Sequence, residues 1–300
     1  MASLASSARA DSTTATQGSC DRHCLHAVLD TYLEAIFKQK PGSAPLAPGY
    51  RATANAVDSP NSAAIWSKIS GYGELQRRYF DPVYETAAYL GLLKVDGREV
   101  ISSVRIRVSN RQVSEAEWTL AYQGPGGHGE AIPAGMLSNP PPTTSLAPEK
   151  RPSRFMLLSL AGDYFQALQD HDGSWVPHSP RCERVENGVK TTMATPVSTG
   201  SAADSSSAAG FGHLQGNCLD HFEHFNHSIA ELTLRRFPLV DEEAGVVLGA
   251  AVFVRYPGVK EPRNLINEYF SVRDNRIDGI WAVMYYLPSE APLSSGWENR

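Results

Sequence analysis

The chain resembles itself. Tyr32-Leu33-Glu34-Ala35-Ile36 is matched 132 positions later by Tyr164-Phe165-Gln166-Ala167-Leu168, and the same offset superposes Pro45 on Pro177, Pro48 on Pro180 and Asn55 on Asn187 without a gap. Further on, Arg77-Arg78-Tyr79-Phe80 resembles Arg235-Arg236-Phe237-Pro238, and Val108-Ser109-Asn110-Arg111-Gln112-Val113 resembles Val272-Arg273-Asp274-Asn275-Arg276-Ile277. A repeat of this length means that one supersecondary unit is built twice, which restricts the fold more than any single motif does.

Each unit opens with a helical pattern. Leu25, Val28, Leu29, Tyr32, Leu33 and Ile36 recur at i, i+3, i+4 and i+7, as do Leu157, Leu160, Tyr164, Phe165 and Leu168. Each then closes in alternating, β-branched segments: Val100 to Val108 and Val113 to Tyr122, then Val246 to Tyr256, Leu265 to Val272 and Ile277 to Leu287. Ser109-Asn110-Arg111 and Arg273-Asp274-Asn275 read as hairpin turns. The order predicts an α+β unit with helices packed on a curved antiparallel sheet. Between the units, Gly124 to Pro152 holds 5 Gly and 7 Pro, a composition that predicts neither helix nor central strand. The expected organisation is a tail at 1–19, a first domain at 20–123, a linker at 124–152, a second domain at 153–288 and a terminal tail at 289–300.

The helix with its inward tyrosine and the closing hairpin of Val272 to Ile280 resemble the NTF2-like, or SnoaL-like, cone fold. Cys20-Asp21-Arg22-His23-Cys24-Leu25, Pro45-Leu46-Ala47-Pro48, Cys182-Glu183-Arg184-Val185-Glu186-Asn187-Gly188, Arg236-Phe237-Pro238-Leu239-Val240-Asp241-Glu242 and Pro292-Leu293-Ser294-Ser295-Gly296-Trp297 are similar to a family of tandem SnoaL-like proteins from fungi and some bacteria. The resemblance implies two tandem cones, each a curved antiparallel sheet wrapped by helices around an apolar pocket. The first unit departs from it, having Ala54-Asn55-Ala56 where the pattern calls for Glu-Asn-Gly.

Charge narrows the function. With 27 Lys and Arg against 32 Asp and Glu the net charge is −5, so a dominant phosphate-binding or bilayer-binding surface is not expected. No apolar run reaches the length of a membrane-spanning helix, so a soluble chain without nucleic-acid or membrane partners is expected. A homodimer is compatible with the sequence. Four cysteines, Cys20, Cys24, Cys182 and Cys218, lack zinc-ribbon spacing. They stand either as two disulfides, Cys20 with Cys24 and Cys182 with Cys218, or as buried thiols. With the sequon Asn226-His227-Ser228, the bridged reading leans toward a secreted protein over a cytoplasmic one.

The expected function is a cofactor-independent lyase, isomerase or cyclase acting on a hydrophobic small molecule. The alternatives are a secreted small-molecule-binding protein and an interaction scaffold. The candidate catalytic groups are Glu186, His221, His224 and Tyr164, since imidazole and a carboxylate in an apolar surrounding both suit proton transfer near neutrality. Asn187, Arg236, Glu268, Tyr269 and Tyr32 are the candidate substrate-binding residues. No metal or cofactor is called for: the Asp170-x-Asp172-Gly173 and Gly124 to Gly129 segments lack the rest of a calcium loop or a phosphate cradle. The Ser-rich tract from Pro196 to Gly210 is expected to be a mobile lid.

Overall fold

A computed structural model describes residues 19–59, 63–122, 131–143, 145–192, 216–223 and 228–297. The first half runs α1 (Arg22–Phe37), β1 (Leu46–Ala54), β2 (Val57–Asp58), α2 (Ala63–Trp66), β3 (Ile69–Asp81), β4 (Thr86–Val95), β5 (Arg98–Ser109) and β6 (Gln112–Leu120). After a short helix α3 (Pro133–Ser138), the second half runs α4 (Arg154–Asp170), β7 (His178–Glu186), β8 (Val189–Lys190), β9 (Ile229–Asp241), β10 (Val246–Arg255), β11 (Asn264–Arg273) and β12 (Arg276–Tyr286). The strand orders are the same, β2-β1-β6-β5-β4-β3 and β8-β7-β12-β11-β10-β9.

Local chemistry explains the elements. Asp21 caps α1 by accepting from the Cys24 N–H at 2.8 Å, and Ser153 caps α4 by accepting from the Met156 N–H. Asn110 and Arg111, and their counterparts Asp274 and Asn275, all have positive φ, the backbone that a two-residue hairpin loop needs. The turn Asn187-Gly188 repeats this geometry, and a Cβ on Gly188 would collide with the Ile132 carbonyl oxygen, so only glycine lets the α3 segment approach.

The structure corrects the expected fold class. Strands take 46% of the described residues and helices 21%, and each half has a single long helix instead of a wrapping of helices. Nor are the sheets antiparallel throughout: β1 runs parallel to β6, and β7 to β12. The physical reason lies in β4 and β10, where Ala87 to Leu93 and Val246 to Phe253 are buried without a break. Continuous burial means that both sheet faces are covered. One face packs on α1 or α4, and the other packs on the opposite sheet through a shared core that includes Leu75, Tyr79, Leu90, Leu239, Leu248 and Tyr269. The Pro/Gly-rich stretch also holds a helix after all, because Pro133 occupies the first turn of α3, where its missing N–H costs nothing.

Two aspartates tie the halves reciprocally. Asp81 ends β3 and Asp241 ends β9; Asp241 Oδ2 accepts from the Phe80 N–H at 2.8 Å and Asp81 Oδ2 from the Val240 N–H at 2.9 Å. Arg22, opening α1, donates to Asp241, while Arg154, opening α4, donates to both oxygens of Asp81. The segments that follow each sheet also cross over. Trp281 of the second half donates to the Asn139 carbonyl beyond α3, and Trp297 lies over Arg51 and Arg105 of the first half and donates to Thr53.

Both cysteine pairs are bridged, with Cα separations of 5.2 Å. Cys182–Cys218 spans a sequence separation of 36. Replacing that pair by alanine is expected to lower the unfolding free energy by about 4 kcal/mol on the chain-entropy model, read from urea midpoints. Among the described residues, no helix is long and apolar enough to cross a membrane.

Candidate functional site

Residues of even number on β7, β11 and β12 face α4, as side-chain alternation along a strand requires. Glu268 pairs in register with Ala282, and Ala282 with Glu186, so the two glutamates lie on one rung either side of a small residue. Arg184 stands two positions before Glu186 on the same face. Its guanidinium donates to the Tyr164 hydroxyl on α4 at 3.4 Å, to the Thr191 hydroxyl at 3.0 Å and to the Cys218 carbonyl at 3.2 Å, and it lies 3.2 Å from Glu186 Oε1. Phe165, Phe222 and Phe270 surround the Tyr164 ring at centroid distances of 5.0–6.3 Å.

Within this apolar shell the groups are strongly perturbed. Glu268 is 1% exposed, and among the described residues its Oε2 has no hydrogen-bond partner. Burial, with a smaller push from the nearby Glu186 charge, raises its pKa to about 8, against the opposing pull of Arg184. Burial also lifts the Tyr164 phenol well above its ordinary value, reinforced by Glu268. For Arg184 burial works against the charge, but Tyr164 and Glu186 outweigh it and hold the guanidinium protonated. At neutral pH the cluster thus holds a protonated carboxylic acid, Glu268, beside an ion pair, Arg184–Glu186. Glu186, with a side chain 19% exposed, is where it meets solvent.

The structure brings together only some of the residues expected from sequence. Tyr164, Glu186 and Glu268 converge. Tyr269 does not: as an odd-numbered neighbour of Glu268 it points to the opposite face, hydrogen-bonded to Ser103 at 2.7 Å and tilted against Tyr79. Arg236 pairs with Glu117 of the first half, the shortest approach being 2.6 Å. Asn187 accepts from the Met284 N–H and donates to its carbonyl, clamping the β7–β8 turn to β12. Tyr32 is locked between Tyr50, 2.6 Å away, and the Trp118 indole N–H. His221 sits in the turn after Cys218, but it is the adjacent Phe222 whose ring packs on Tyr164. His224 and the lid tract at 196–210 lie outside the described residues, as do Asn226 and His227 of the sequon. Arg184 is the member that sequence reasoning missed; the alternation Cys182, Arg184, Glu186 is the signal that marks it.

The internal repeat supplies a comparison. At the positions equivalent to Arg184, Glu186, Glu268 and Ala282 the first half has Ala52, Ala54, Val104 and Trp118. Tyr164 keeps its counterpart Tyr32, but the donor to that hydroxyl is an indole N–H instead of a guanidinium. One half carries a charged cluster, while the other fills the same place with apolar and aromatic side chains. Tyr32→Phe should therefore cost about 1–3 kcal/mol of stability, by leaving the Tyr50 and Trp118 groups short of a partner, without altering the second-half cluster. Denaturant unfolding combined with NMR of the Glu268 carboxyl would check both parts.

Two disulfides place the maturation of the chain in an oxidising environment. Among the described residues no group of three His, Cys, Asp or Glu side chains is set to hold a metal. A family described as a domain of unknown function (DUF8021) matches residues 150–284, a span that includes Tyr164, Arg184, Glu186 and Glu268. No curated protein matches the chain.

Proposed function

We propose that the second half is a cofactor-independent proton-transfer catalyst, a lyase, isomerase or cyclase for a hydrophobic small molecule bearing a carbonyl, working in a secreted, oxidising setting. The observation that carries the reading is Glu268, a buried carboxyl whose Oε2 has no partner among the described residues and which is poised to exchange its proton near pH 8, beside a buried guanidinium. In the proposed step the C–H bond α to the carbonyl breaks and its proton goes to the Glu186 carboxylate. The electron pair moves onto the carbonyl oxygen, and Glu268 supplies that oxygen with a proton while the Arg184 charge stabilises it. The aromatic shell formed by Phe222, Phe165 and Phe270 favours an apolar substrate body and keeps water away from the transfer.

The test is deuterium exchange. With α-tetralone, 4-chromanone and cyclohexanone in D2O, followed by proton NMR, the native chain should label the α-carbon at least about 100-fold faster than Glu268→Gln. The rate should fall as pH rises through about 8, because the acid form of Glu268 is lost there. Equal rates for the native chain and the variant on every ketone would reject catalysis. Saturation-transfer contacts without exchange would put a small-molecule-binding protein in its place.

A further inference from the structure

We propose that the Cys182–Cys218 disulfide is a positioning element of the second-half site, holding the short segment 216–223 so that its backbone and one aromatic ring complete the surroundings of Arg184 and Tyr164. The proposal rests on the polar cluster being the functional site and adds a cross-link that shapes it. Cys182 lies on β7 two residues before Arg184, on the same face, and its bridge fixes Cys218, whose carbonyl oxygen accepts from the Arg184 guanidinium at 3.2 Å. Four residues on, Phe222 is fully buried, edge-on to Tyr164 with centroids 5.1 Å apart, and its ring lies 5.9 Å from the Arg184 guanidinium carbon.

The segment has little regular structure of its own. Its described internal ties are turn bonds: Asn217 N–H to Asp220, Leu219 N–H to the Asn217 side chain, and a long 3.4 Å bond from the Phe222 N–H to the Leu219 carbonyl. Such turns fix a local shape but not a place relative to β7, and the disulfide fixes that place covalently. The internal repeat supports this division of roles. In the first half the position of Cys182 is taken by Tyr50, the polar cluster is missing, and the disulfide there, Cys20–Cys24, closes a turn at the start of α1. The bridge to β7 occurs in the half that carries Arg184, Glu186 and Glu268.

The experiment uses the full chain with glutamate side-chain carboxyls labelled with carbon-13, the Glu268 resonance being assigned by its loss in Glu268→Gln. Tyr164, Arg184 and Glu186 are the titratable groups facing Glu268 from α4 and β7. In a folded Cys182→Ala/Cys218→Ala variant, the Glu268 midpoint should drop from about 8 by at least about one unit as water reaches the cluster. The control Cys20→Ala/Cys24→Ala should leave it unmoved. An unchanged midpoint in the first variant, or an equal drop in the control, overturns the proposal. If the first variant does not fold, Phe222→Leu, which keeps the disulfide and loosens its ring contact, must lower the midpoint too, and an unchanged value there overturns the proposal as well. Absence of deuterium exchange in the native chain would defeat the catalytic reading alone, since the titration needs no substrate.

Discussion

At pH 9, Glu268→Gln is expected to be more stable than the native chain by about 5 kcal/mol, and at pH 5 the two should differ by much less. The folded carboxyl titrates near 8 and the unfolded one near 4.5, and each unit of difference is worth about 1.4 kcal/mol. Between those two values the folded state binds more protons than the unfolded state, so the stability of the native chain falls as pH rises through the interval. Glutamine, similar in shape and without charge, removes that dependence. Urea midpoints for both chains at pH 5 and pH 9 measure it, and the difference between chains cancels every other titrating group. If the gap between the curves stays constant across pH, Glu268 is not a carboxyl held neutral by burial, and its proposed role as an acid falls with it. A gain in stability on removing a charged side chain is what a site kept for chemistry, at the expense of the fold, would show.

The second large effect concerns the seam between the halves. Asp81→Ala and Asp241→Ala should each destabilise the whole chain by about 3–5 kcal/mol, because each carboxylate is fully buried and its loss leaves several backbone N–H groups without an acceptor. Asp81 accepts from Val240, Val83, Tyr84 and Arg154, and Asp241 from Phe80, Ala244 and Arg22. Since each aspartate bonds groups of the other half, both should unfold in one transition lowered as a unit. Two separate transitions in urea, with one half surviving, would show that the seam does not couple the halves.

Much of the framework was readable from the residues. The repeat at 132 positions aligned Tyr32 with Tyr164 and Asn55 with Asn187, and the structure puts each pair at the same place in the same strand order. The hairpins at Asn110 and Asp274 were legible because local turn chemistry writes them. The parallel pairing of β1 with β6 was not, since strands distant along the chain have no connecting turn to read. The covered second face of each sheet had a signal, the unbroken apolar runs at 87–93 and 246–253, but taking the sheets as helix-wrapped left no partner for it. In the site, alternation alone forbade Glu268 and Tyr269 from lining one surface. Arg236 shows the opposite limit: its partner Glu117 lies in the other half, and no spacing rule within a strand could have identified it.

The crossing of the end segments bears on how the chain is made. Thr53 of the first sheet receives its hydrogen bond from Trp297, 244 residues later. At ordinary ribosomal speeds of about 5–20 residues per second, roughly 12–50 s pass between the synthesis of that strand and the arrival of its cover. During that interval the face of the first sheet destined for the second is covered only in part, by the following segment, whose Met136 packs with Leu75 and Ile101 and whose Pro142 carbonyl accepts from Tyr79. The rest of that apolar face stays exposed on the nascent chain until the later half delivers both the opposing sheet and the tryptophan.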